Sequence, residues 1–187
     1  MTYTRIYRII HWATAIVFVL LLFTIFLRLT WLNKFHVAAI IEDYLKTTNQ
    51  QLTQDQLLIL AKKIRKPMWN WHIYFGYALV GLYVVRLTLP LFGEMKFQSP
   101  FDKNNTLKEK FQKWVYILFY ACVVISLGTG LFIEFGPKSL KDVMEEIHEL
   151  GVYYLVIFIV VHLSGVLIAE FTTHKGIISS IVSGSKK

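Results

Sequence analysis

Cysteine is nearly absent from this chain: Cys122 is the only one in 187 residues. No disulfide can form within the chain, and a lone thiol among Tyr120, Ala121 and Val123 reads as a small packed hydrophobe. Acidic residues are also scarce, 12 against 20 Lys and Arg, which leaves a net charge of +8. That imbalance would suit nucleic acid, but the basic residues lie in connecting segments and at the chain ends. Membrane flanking accounts for them better, and no nucleic-acid partner is expected. No internal repeat or low-complexity segment is evident. What is abundant is apolar sequence: 55% of the residues are hydrophobic, and the mean hydropathy is +0.49.

The apolar residues gather in four runs near the ~20 residues needed to cross a bilayer. They are roughly Ile9–Leu32, Trp71–Phe92, Trp114–Phe135 and Gly151–Phe171. The first is too long, and too poor in small residues at its end, for a cleaved signal peptide. The expected fold is therefore all-α, a four-helix transmembrane bundle forming one domain over residues 1–187, with a short helical extramembrane insertion at about 33–68.

Four spans put both termini on one side. The Glu94–Lys113 connection carries Lys96, Lys103, Lys108, Lys110 and Lys113, whereas Gly136–Ile147 has Lys138 and Lys141 against Asp142, Glu145 and Glu146. The positive-inside rule then places the termini in the cytoplasm. Arg5 and Arg8 at the front, and Lys175, Lys186 and Lys187 at the back, agree. The Asn33–Met68 connection dissents with six Lys or Arg of its own. Within it, Phe35, Val37, Ile40, Ile41, Tyr44 and Leu45 have helical spacing. A second helix is expected from Thr53, where Thr53 and Gln56 fit a capping box. Leu57, Leu58, Leu60, Ala61 and Ile64 would form its buried stripe, and Pro67 would end it. The pair either rests on the bundle or the interface, or serves as a lid.

Four of the six histidines fall at membrane depth. His11 opens the first span and His72 the second; His148 starts the fourth and His162 lies well inside it, between Val161 and Leu163. Ionisable groups there are costly and usually functional. His148 and His162 are 14 residues apart, about 21 Å and nearly four turns along one helix face. Each then needs a partner at its own depth, and span alternation supplies His72 for His148 outside and His11 for His162 inside. Taken singly, His11 and His72 could be interfacial residues and His148 a helix cap. His36 and His174 have no depth-matched partners and read as surface residues.

Structural zinc wants four Cys or His ligands close together, and these pairs are too far apart. A di-iron bundle wants two Glu-x-x-His motifs, and Glu145 with His148 is the only copy. Haem is the cofactor that needs two facing imidazoles and nothing else. The absence of C-x-x-C-H argues against its covalent attachment.

Four local patterns now carry a resemblance. Arg5 precedes His11-Trp12 by six residues. Span two has His72-x3-Gly76 and then Arg86-Leu87. Span three has Tyr120 followed by Thr129-Gly130-Leu131, and span four has His148-Glu149, then His162 and Gly165. With these the chain resembles the bacterial cytochrome b-561 family of di-haem membrane proteins, and more distantly the cytochrome subunits of hydrogenases and formate dehydrogenases. The resemblance implies two b-type haems ligated by His11, His72, His148 and His162, and electron exchange with quinone or quinol in the bacterial inner membrane. It also implies a place in respiratory electron transport; one relative passes electrons from superoxide to ubiquinone. The long Asn33–Met68 connection departs from the pattern and leaves the electron donor open.

Gly76, one turn past His72, either clears a haem face or allows tight helix packing. Arg86 binds an inner haem propionate, pairs with Glu170, or snorkels to the interface. The expected function is single-electron transfer across the bilayer between an outer partner, superoxide or a redox protein, and quinone. An anchor subunit of a hydrogenase- or dehydrogenase-type complex is the alternative within the same chemistry. A haem-free anchor or transporter is the alternative of another class, although neither broken helices nor repeat symmetry is visible. No side-chain catalysis is expected, because haem carries the redox chemistry.

Overall fold

The computed structural model describes residues 3–93, 96, 99–172 and 174–184. Glu94, Lys186 and Lys187 of the charge pattern lie outside the described residues. Among those described the fold is all-α, with no strand. The helices are α1 (Arg5–Leu29), α2 (Lys34–Thr47), α3 (Gln54–Thr88), α4 (Leu107–Phe135), α5 (Lys141–Glu149), α6 (Gly151–Phe171) and α7 (Ile177–Val182). Four stretches are long and apolar enough to cross a membrane: Arg5–Leu29, Gln54–Phe92, Leu107–Phe135 and Lys138–Phe171. The chain contacts divide into two units, Thr14–Gly81 and Met1–Ala13 with Leu82–Lys187.

In the first unit, most of α1 shows apolar side chains outward: Ile16, Val19, Phe23 and Phe26 are all more than half exposed. A helix clothed this way is matched to lipid, where no hydrophobic driving force hides such residues. Asn33 caps α2 by accepting from the Phe35 amide at 2.9 Å. The expected capping box forms at the head of α3: the Gln56 amide donates to Thr53 Oγ1 at 3.3 Å, and the Thr53 amide to Gln56 Oε1 at 2.9 Å. Val37 and Ala38 of α2 pack on Leu57 and Ala61 of α3, flanked by Leu32, Ile41, Leu45 and Leu58. Full burial of a Leu-sized side chain contributes about 1.5–3 kcal/mol, enough to dock a helix of this length.

Two details of the insertion differ from expectation. Leu60 and Ile64 are exposed rather than buried, so α3 has apolar residues on more than the face that packs. Pro67 does not end its helix, and α3 runs unbroken through it into the second span. A proline removes one amide donor, here from the carbonyl of Lys63. Lys63 and Pro67 are both exposed, so water reaches that carbonyl and the helix continues.

In the second unit, Thr106 and Glu109 form a capping box that starts α4 seven residues before the expected Trp114. Gly136 and Pro137 follow its end. The C-terminal α7 is tied back to α1: Trp12 Nε1 donates to the Ile181 carbonyl at 3.2 Å, and Arg8 to that of Val182 at 3.3 Å. Glu170 accepts from the amides of Gly176 and Ile178, at 2.9 and 3.0 Å.

Candidate functional site

His11 on α1 and His162 on α6 meet, their ring centroids 6.2 Å apart and their planes inclined at 48°. Each imidazole is held by aromatic neighbours. Tyr7, one turn before His11, is nearly parallel to it at 6.4 Å, and Trp12 presents an edge at 5.7 Å. Phe158, one turn before His162, stacks on it at 5.5 Å, and Phe119 of α4 stacks on Phe158 in turn. The i to i+4 spacing puts Tyr7 and Phe158 on the same helix face as their histidines. Tyr116, three residues before Phe119, brings its hydroxyl to 3.3 Å from His162 Nδ1.

Close by in the same unit, Arg86 donates from Nε to the Tyr120 hydroxyl, and its guanidinium carbon lies 5.2 Å from the centre of that ring. Tyr83 donates to the Tyr120 carbonyl at 3.1 Å. Arg86 thus sits on a tyrosine, while the Glu170 carboxylate accepts from the backbone at the head of α7.

His72 lies on α3 in the other unit. Its ring stacks on Trp69 at 4.5 Å with planes 5° apart, and Arg28 lies 4.2 Å above Trp69. His72 Nδ1 is 2.8 Å from Thr24 Oγ1 of α1.

His148 is placed differently from expectation. It belongs to α5 and not to one uninterrupted helix with His162, because the helix breaks at Leu150 before α6 begins. Leu150 keeps helical angles, φ −62° and ψ −17°, but accepts an i+3 bond from Tyr153. Gly151 follows, and a Cβ there would stand 2.9 Å from Ser126 Oγ of α4. The missing side chain lets α6 press on α4 at the break. Nδ1 of His148 lies 3.1 Å from Thr129 Oγ1 and 3.0 Å from the Ser126 carbonyl. Gly130 makes room for the ring: a Cβ there would stand 3.0 Å from His148 Cε1.

All four histidines are half-buried, and His36 and His174 are exposed. Among the described residues no three His, Cys, Asp or Glu side chains gather as a metal site. The chemistry on offer is that of paired or singly supported imidazoles. Thr24 and Tyr116 carried no signal in the sequence reading, since Thr24 is 48 residues from the ring it touches. Thr129 and Gly130 belong to the Thr129-Gly130-Leu131 pattern of span three, and only the folded contacts with His148 give them a role.

The family model for prokaryotic cytochrome b561 matches residues 2–184. No curated protein and no solved structure matches the chain significantly.

Proposed function

This chain belongs to the prokaryotic cytochrome b561 family, and from that premise we propose that it carries single electrons across the bilayer between an outer partner and membrane quinone. Membership makes it a multi-pass membrane cytochrome of the b type, in electron transfer, which decides against a haem-free anchor or transporter. Beyond that, the reading is of two haems b, held by His11 with His162 and by His72 with His148, in a bacterial inner membrane with cytoplasmic termini.

The observation that carries it is the His11–His162 pair. These two imidazoles would hold one iron between them, which would supply the one-electron chemistry. Their ring centroids are 6.2 Å apart, between residues 151 apart in sequence, which leaves room for a metal between the rings. His72 and His148 fall in different units, so their pairing rests on span alternation, His72 opening span two and His148 opening span four. A Cβ at Gly76 would meet no protein atom within 4 Å, so tight helix packing does not account for this glycine and clearance for a haem face is the reading that remains. When bound, the haems supply one-electron redox chemistry. The protein's part is to hold the imidazoles, to exclude water with the Phe119–Phe158 stack, and to place Arg86 with its charge near the inner pair.

Lys62, Lys63, Arg65 and Lys66 form a basic cluster on α3 shortly before His72. It would draw an anionic outer donor such as superoxide, or dock the acidic face of a redox protein, or contact lipid headgroups. The second of these is the anchor-subunit reading.

Purified chain should hold two haems b with low-spin bis-imidazole spectra. His162→Ala should lose one and His148→Ala the other, with His36→Ala and His174→Ala unchanged. Retention of both haems in either ligand variant defeats the assignment. A chain that holds both haems yet passes no electrons from any one-electron donor to quinone transfers the case to the anchor subunit.

A further inference from the structure

Two of the four histidines are supported by the same device, built separately in the two units. Thr24 Oγ1 lies 2.8 Å from His72 Nδ1, and Thr129 Oγ1 lies 3.1 Å from His148 Nδ1. In both cases the hydroxyl proton is already committed to the threonine's own helix. Thr24 donates to the Leu21 carbonyl at 2.6 Å, and Thr129 to the Ile125 carbonyl at 2.8 Å. A hydroxyl whose proton is so engaged can only accept from a third group. With the hydroxyl turned to its own helix, the imidazole nitrogen facing it is the donor. For His148 the Ser126 carbonyl, 3.0 Å from the same nitrogen, requires the same protonation because a carbonyl has nothing to donate. Both threonines are buried, at 4% and 8% exposure. Bonding back to the helix satisfies a membrane threonine on its own; it does not call for an imidazole at hydrogen-bond distance, still less for two.

We propose that Thr24 and Thr129 are positioning residues, each within its own unit, that hold His72 and His148 as Nδ1–H tautomers, present Nε2 of each as the ligand nitrogen, and lower the potential of the haem each would serve. The inference rests on the ligand assignment above. An imidazole that donates from Nδ1 to a good acceptor is the more basic ligand through Nε2. A more basic ligand favours the oxidised metal, so loss of the acceptor should raise the potential.

The test uses the purified full chain with its haem, as Thr24→Val, Thr129→Val and the two Thr→Ser variants. The readouts are haem content, a spectroelectrochemical titration and the low-spin ferric resonance spectrum. Each Val variant should raise one of the two midpoint potentials and leave the other in place. The shift should be up to about tenfold in the one-electron equilibrium, about 59 mV. The ferric signal of that haem should move with it, and Ser should restore both. Unchanged potentials and resonance signals in Val variants that keep both haems overturn the proposal. So does a shift that Ser fails to reverse, which would assign it to packing. Where a Val variant loses a haem, wild-type spectra in the Ser variant sustain the proposal and loss of the same haem overturns it. A wild-type chain without a haem spectrum would instead refute the ligand assignment, and this inference with it.

Discussion

Gly130→Ala sets two effects of known sign against each other. In mid-helix, Gly is less favourable than Ala by roughly 0.5–1 kcal/mol, so the substitution should make α4 more stable. The added Cβ, however, would stand 3.0 Å from Cε1 of His148 and 3.5 Å from its Nδ1. A Cβ contact of 3.0 Å is well inside the normal range, and the ring must retreat by several tenths of an ångström. It is held by contacts of 3.1 Å to Thr129 and 3.0 Å to Ser126, which a retreat would stretch. A hydrogen bond of this kind contributes about 0.5–1.5 kcal/mol net. A ligand also has to stay within about 0.5 Å of its productive position. One to two kcal/mol lost at the ligand weakens haem retention about 5–30-fold. The expected variant is thus a protein of equal or greater thermal stability with one haem depleted. Helix melting by circular dichroism in detergent, set beside haem per chain, reads both quantities. Full haem content with wild-type spectra would show that His148 gives way freely, and that its contacts to Thr129 and Ser126 do not fix it. Gly76→Ala is the companion case: its Cβ would meet no protein atom, so haem loss in that stable variant would report a clearance only the cofactor uses.

The insertion and the basic cluster offer two further tests. Leu57→Ala removes a side chain 1% exposed at the centre of the α2–α3 contact. It should cost about 2–5 kcal/mol locally and speed amide exchange over Lys34–Thr47 while haem content stays unchanged; unaltered exchange would refute the docking role of this cluster. Replacing Lys62, Lys63 and Lys66 by Gln should slow reduction by an anionic one-electron donor at low salt and not by a neutral one. The difference should fade as salt rises past about 0.15 M, and equal slowing of both donors would rule out electrostatic steering.

Much of the fold was legible because a bilayer leaves few choices. A run of about 20 apolar residues must close its own backbone bonds as helix, and the four runs all became helices. The Thr53–Gln56 box was legible for a different reason, since both partners lie within one turn. Pro67 misled because the rule against it concerns a lost hydrogen bond, and at an exposed turn that loss is small. The break at Leu150 could not be read from Leu150 itself, which has helical angles. Only Gly151 hinted at it, through a contact with Ser126 that belongs to tertiary packing.

The histidines themselves were visible because imidazole in an apolar run is expensive, whereas the residues that support them were not. A threonine in a membrane helix costs little once it bonds to its own backbone, so Thr24 and Thr129 stand out against nothing. Their meaning comes from the direction of a proton. Each hydroxyl gives its hydrogen to a carbonyl three or four residues back, and the imidazole opposite is left to donate. A phenol differs here, because Tyr116 beside His162 can turn its hydroxyl to donate or accept. The Nδ1 proton is dictated for His148 by the Ser126 carbonyl, is favoured for His72 by the bond Thr24 makes to its own helix, and is adjustable for His162. If ligand basicity follows that difference, a haem held by His72 or by His148 takes the lower potential contribution from its surroundings.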